Sequence, residues 1–163
     1  MRPWQDADIA PFLAATNTPA VVRWLGGLQD ETHYAELASR MKAGQAALGH
    51  CFLIIERRTH AQLLGACGLR RADHAGTPVF RKPELGWRLR EDAWRQGYAK
   101  EAALATIAWA WANLSDTELV AYTVPGNLAS WGLMESLGMQ RRKAFDFDHP
   151  KFPAEHELCL HIT

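Results

Sequence analysis

The chain has 163 residues, 48% of them hydrophobic and 22% charged, and its formal net charge is zero. This is the length and balance of one globular domain, residues 1–163, with enough apolar content to bury a real core. Zero net charge argues against a nucleic-acid partner held by a broad basic surface, and no apolar run is long enough to span a bilayer.

In chain order, Asp6 is placed to cap a first helix reaching about Ala15, with Ile9, Phe12 and Leu13 on one face. Thr18-Pro19 opens a second, short helix that Gly26-Gly27 ends. Asp30-Glu31 starts a third, in which Tyr34, Leu37, Ala38 and Met41 recur at helical spacing. Gly44 and Gly49 loosen its end. The pattern then changes. Residues 51–56 are a short apolar run, a buried strand, followed by a polar turn at Arg57 to His60. A second strand, 62–69, carries Gly65 and Gly68, which suggest a bulge or the close approach of another backbone. The two strands read as an antiparallel hairpin. A loop over 71–83 leads to a strand over 84–90.

The helix over 97–113 is apolar on nearly all sides. Ala103, Ile107, Ala110, Trp111 and Leu114 form one stripe, so cover is expected from a sheet and from other elements. A strand over 118–124, a Pro125-Gly126-Asn127 turn and a helix over 128–137 follow, the helix ending at Gly138. Strands over 139–147 and 156–162 close the chain. In the last, Leu158, Leu160 and Ile162 alternate with polar positions and Cys159. This order predicts a mixed α/β sheet with helices on both faces.

Cys51, Cys67 and Cys159 are far apart and odd in number, so they read as buried thiols in a reducing compartment, the cytoplasm. The N-terminus has no signal-peptide pattern. His149 and His156 are too isolated to suggest a metal site. Most of the seven tryptophans read as core or groove wall.

One turn carries a chemical signal. The alternating Leu85, Trp87 and Leu89 run into a polar turn, then Gly97 and Ala99, and then the long helix. A strand feeding a glycine-containing turn at a helix start presents free backbone N–H groups and the positive end of a helix dipole to an anion. A diphosphate suits such a site. Taken alone, however, Gly97 and Ala99 read first as an ordinary strand-to-helix turn.

Three segments in order, ELGWRL at 84–89, WRQGYAKEAA at 94–103 and VPGNLASWGLMESLGM at 124–139, resemble the GNAT superfamily of acyl-CoA-dependent N-acetyltransferases. The closer resemblance is to the RimJ/RimL type, which acetylates ribosomal-protein N-termini. It extends to Arg2-Pro3-Trp4 with Asp6 and Asp8, to Leu25-Gly26-Gly27, to Cys67-Gly68-Leu69, and to the closing segment from Phe145 to Pro150. The resemblance implies the GNAT fold, a mostly antiparallel mixed sheet splayed after its fourth strand. It implies acetyl-CoA as co-substrate, with its pantetheine arm pairing along the backbone of Trp87 and Leu89, a form of β-augmentation. The diphosphate would meet Arg95, Gln96, Gly97, Tyr98, Ala99 and Lys100. Trp94 and Arg95 depart from the family's broad pattern. Arg95 stands where this type usually has glycine, so its side chain either crowds the phosphates or pairs with them.

By the same resemblance, Asn127 would bind pantetheine and Ser130 would protonate the leaving thiolate. An Asn at a helix start is also a routine cap. Glu84 is the candidate base. It shares a strand face with Gly86 and Arg88, opposite Leu85, Trp87 and Leu89. It is either that base or a surface carboxylate paired with Arg88. The expected reaction moves acetyl from acetyl-CoA to a primary amine, a protein N-terminus or a small molecule, in a ternary complex without an acyl-enzyme. The acceptor groove would lie among residues 22–28, the loop 71–83 and the hairpin around 145–156. The other reading is a non-catalytic acyl-CoA-binding or regulatory module on the same fold. No metal, nucleic acid or membrane partner is expected, and the protein would be a monomer or homodimer. Family members usually begin with a further strand, so here that strand is very short or the start lies upstream.

Overall fold

The computed structural model describes residues 1–149 and, for the backbone alone, 157–162. Three strands come first: β1 (Phe52–Arg57), β2 (Gln62–Arg71) and β3 (Pro83–Leu89). Then follow β4 (Val120–Thr123), β5 (Gln140–Arg141), β6 (Phe147–Asp148) and β7 (Glu157–Ile162). The sheet order is β1-β2-β3-β4-β7-β5, with β6 also paired to β7. Every pairing is antiparallel except that of β3 with β4. Ahead of β1, Arg2 makes an isolated antiparallel bridge with Ile54.

Helix α1 (Ile9–Thr16) and α2 (Glu31–Leu48) lie on one face of the sheet. Helix α3 (Tyr98–Asn113) packs on the other, and α4 (Leu128–Ser136) follows β4. The two faces have separate cores. Trp4, Phe12, Tyr34, Ala38 and Met41 meet Ile54 and Ala66 on the α1/α2 side. Leu69, Leu85, Leu89, Ala103, Ala110 and Met134 meet on the α3 side. Strand alternation divides β3 between them. No helix among the described residues is long and apolar enough to cross a membrane.

Both glycines of β2 mark close approach. A Cβ on Gly65 would stand 2.1 Å from the Arg88 carbonyl oxygen, and one on Gly68 the same 2.1 Å from that of Cys51. Opposite Gly65 the register slips between Ile55 and Glu56, which is the bulge. Asp30 caps α2 by accepting from the His33 N–H at 2.8 Å, and Gly49 ends it in the left-handed region.

Several expectations need correction. Residues 18–27 form successive turns, with no helix. The bonds from Val22 N–H to Thr18 O and from Leu25 N–H to Val22 O close single turns, and a segment this short cannot offset helix nucleation. Asp6 caps nothing. Asp8 instead accepts from the Gln5 N–H at 2.7 Å and pairs with Arg2. The strand expected over 139–147 is broken into β5, a 3₁₀ turn at Lys143–Phe145, and β6. On α3 only the stripe Ala102, Ala103, Thr106 and Ala110 is buried, while Leu104, Trp109 and Trp111 are exposed. Of the tryptophans, Trp4 is core and Trp94, Trp109 and Trp111 face solvent. Cys51 and Cys67 are buried free thiols, and burial pushes them up to about 11 and about 12. The side chains of Cys159 and His156, and the hairpin tip at 150–156, lie outside the described residues.

Candidate active site

β3 and β4 are paired at one position, Glu84 with Val120, and then diverge. Beyond it β3 remains paired to β2 through Leu89. The Arg90 N–H donates to Leu64 O, so the even-numbered residues of β3 direct their backbone groups at β2. The N–H and C=O of Leu85, Trp87 and Leu89 therefore face the opening. The Leu89 carbonyl is already occupied there, accepting from the Trp94 indole at 2.9 Å.

At the end of β3 a 3₁₀ turn, Glu91–Ala93, leads into α3. Between them the backbone N–H groups of residues 95–100 have no backbone acceptor among the described residues. Gly97, at the N-cap, has φ +85°. Arg95 has φ +58°, the left-handed conformation that glycine adopts freely, so a side chain at this place costs strain of about 1 kcal/mol. Trp94, Arg95, Gln96 and Gly97 are exposed, and a Cβ on Gly97 would meet nothing within 4 Å. The turn is an open row of N–H donors at the positive end of a helix of 16 residues.

Glu84 is buried on the α1/α2 face. Its Oε2 accepts from the Tyr122 hydroxyl at 2.7 Å and pairs with Arg70 at 2.8 Å. Oε1 has no hydrogen-bond partner among the described residues, and the side chain retains 11% exposure. Burial pushes the carboxyl above its usual range, while Arg70 and Tyr122 pull it back. Burial and the neighbouring carboxylate raise Tyr122 in turn, so it stays a phenol. The network extends outward. His74 Nε2 lies 3.1 Å from the Tyr122 hydroxyl, and His149 Nε2 lies 3.0 Å from His74 Nε2. The expected Glu84–Arg88 pair is absent. Residues four apart on a strand are about 13 Å apart, whereas Arg70 is the direct cross-strand neighbour of Glu84.

Asn127 caps α4, its side chain accepting from the Ser130 N–H at 3.3 Å and donating to Thr123 Oγ1 at 2.9 Å. Both ends of the amide are thus engaged locally, as in the routine cap. Ser130 is half-buried, in the first turn of α4, the helix that follows β4. The turns at 18–28 bridge that opening. The Thr18 hydroxyl bonds Glu91 beyond β3, and the Trp24 ring rests on Gly126 beyond β4, 2.9 Å from where a Cβ would stand. Sequence reading missed Arg70, Tyr122 and His74. They lie on different elements, and only the folded register brings them to Glu84.

A family model for an acetyltransferase (GNAT) domain matches residues 1–140. The chain therefore belongs to the GNAT acetyltransferase family. Over 144 residues it is 27% identical to the uncharacterized protein YkkB of Bacillus subtilis, a match covering 88% of this chain and 82% of that protein. An acetyltransferase from Agrobacterium tumefaciens has a similar structure, with TM-score 0.81 and 26% identity over 99% of this chain and 88% of its own. The fold is also that of yncA from Salmonella typhimurium, solved with its cofactor acetyl-CoA, at TM-score 0.72 and 20% identity over 99% of this chain and 91% of that one. As a family member the chain is an N-acetyltransferase, and acetyl-CoA is the co-substrate expected of that family.

Proposed function

We propose that the chain, acting as one domain, acetylates a primary amine by direct transfer from acetyl-CoA held between β3 and β4. The observation that carries this reading is the divergence of the two strands after Glu84 and Val120, which leaves the Trp87 and Leu89 backbone turned to the opening and the free N–H row of residues 95–100 at its end. An extended amide-bearing arm fits the strand edge, and a diphosphate fits the N–H row. Asn127 would meet that arm from the α4 side.

Glu84 would accept the proton of the ammonium at Oε1, directly or through one water. The neutral amine then attacks the thioester carbon. A C–N bond forms, the C–S bond breaks, Ser130 would protonate the departing thiolate, and the second proton shed by the nitrogen would pass to Ser130, directly or through water, to restore it. Arg70 and Tyr122 would hold Glu84 in place and favour its ionised form against burial. The high pKa values of Cys51 and Cys67 support direct transfer, since neither supplies a thiolate near neutral pH. The resemblance of the three ordered segments to the RimJ/RimL type supports a polypeptide N-terminus as acceptor, with a small amine as the other candidate.

The test is acetyl-CoA consumption against peptides with varied N-termini and a panel of small amines. Stoichiometric acetylated amine and free thiol are expected. Tight acetyl-CoA binding without turnover on any amine would overturn the proposal.

A further inference from the structure

Arg88 is a half-buried guanidinium with no carboxylate partner among the described residues. The arginines of β2 behave otherwise: Arg70 holds Glu84 and Arg71 holds Asp116. Among the described residues Arg88 has only the Tyr34 hydroxyl, 3.4 Å away, and the Tyr34 ring, whose centroid lies 5.9 Å from the guanidinium carbon. Burial lowers its pKa, opposed by Tyr34 alone. On α2, burial first and then Arg40 and Arg88 lower the pKa of His33, against Glu36 and Asp30, and neither of those carboxylates pairs with Arg88. Leaving a cation in such a place is costly unless an anion arrives to pair with it.

The position is informative. Arg88 shares a face of β3 with Glu84, and Gly86 stands between them with no side chain of its own, under the Phe52 ring. Along the strand the two Cα atoms are about 13 Å apart, and two long side chains can shorten that span by several ångströms.

Resting on the function proposed above, we infer that the acceptor is an amine that also bears a carboxylate several bonds from its nitrogen, and that Arg88 binds this carboxylate while the amine meets Glu84. An α-carboxylate directly beside the amine is too close to satisfy both groups. Two acceptors share the required chemistry: a free ω-amino acid, and a peptide N-terminus followed by an acidic residue.

The experiment compares matched pairs: ε-aminocaproate with hexylamine, and a peptide beginning Ala-Glu with one beginning Ala-Gln. Each is measured by acetyl transfer and, without acetyl-CoA, by equilibrium binding. The parent protein should prefer the carboxylate member of at least one pair by about tenfold to a hundredfold, the usual worth of a hydrogen bond to a charged group. The pair showing the preference identifies the source. In Arg88→Gln the KM for that acceptor should rise by a similar factor and the preference collapse, with kcat and acetyl-CoA affinity changed far less. Arg88→Lys should restore part of the preference, which also shows that the site still folds. No preference in the parent, or an Arg88→Gln that slows both members of a pair equally, overturns the inference. If no amine is acetylated but the binding preference and its loss in Arg88→Gln persist, the carboxylate site stands and the proposed reaction falls.

Discussion

The Tyr122 hydroxyl donates to Glu84 Oε2 at 2.7 Å, from β4 across to the head of β3. The bond ties the two strands at the point where they part, and it stabilises the ionised form of a carboxyl that burial pushes the other way. Tyr122→Phe removes the donor and keeps the ring. The Glu84 pKa should then rise further, so the ascending limb of the pH–rate profile should move to higher pH by about one unit or less. Activity on the alkaline plateau should largely recover. An unmoved limb would mean that Glu84 is not the group titrating in that limb.

The turn at 95–100 makes two opposite demands that substitutions can separate. Gly97→Glu adds a carboxylate to the N–H row and a side chain to a left-handed position, so acetyl-CoA binding should be lost while the fold survives. Arg95→Gly removes a side chain from φ +58° and should raise stability by about 1 kcal/mol. If the guanidinium pairs with phosphate, the same change should weaken CoA binding about tenfold. Calorimetric titration of both variants, with melting curves, checks each part. Tighter binding by Arg95→Gly would show that the side chain crowds the phosphates.

Much of this architecture is readable from the residues. Asp30 and Gly49 bracket α2 because each satisfies helix-end groups locally, and such signals need no partner from elsewhere. Gly65 and Gly68 announce close backbone contact for an equally local reason. The partner of Glu84 could not be read in this way. Arg88 shares its face and is near in sequence, but strand geometry holds it too far away, and the register supplies Arg70 instead. His74 and His149 meet across 75 positions, a separation that leaves no periodic trace. Residues 18–27 carry good helix punctuation, yet they are tied as turns to Glu91 and Gly126.

Ser130→Ala should lower turnover by roughly tenfold to a thousandfold, overlapping the usual worth of a general acid. Acetyl-CoA affinity should change little, because the N–H that bonds Asn127 is backbone and remains. Pre-steady-state rates with chemistry limiting make the comparison. Parental turnover would remove Ser130 from the mechanism.

Asp8 offers a check on the fold that is independent of catalysis. Its bonds from Arg2 hold its carboxyl below the usual carboxylate range, with burial opposing. A pKa lower in the folded than in the unfolded chain stabilises the fold above the unfolded value, and that stabilisation is lost as pH falls through the folded value. Asp8→Asn should therefore cost about 1–3 kcal/mol near neutral pH, and the gap from the parent should close on acidification. Denaturant midpoints at neutral and acidic pH measure it. A gap that is the same at both would place the stabilisation outside the Arg2–Asp8 pair.

The pH–rate profile of Glu84→Gln tests the account most directly. The substitution keeps the size of the side chain and an oxygen acceptor for Tyr122, and removes the base. With acetyl-CoA saturating, the variant should turn over slowly near neutral pH, lose the ascending limb set by Glu84, and recover partly at alkaline pH, where the free amine is abundant. Acetyl-CoA affinity should hardly change, since in the proposed complex β3 would offer that molecule its backbone. A Glu84→Gln protein with the parental profile and rate would contradict the account and leave Glu84 as the structural partner of Arg70 and Tyr122.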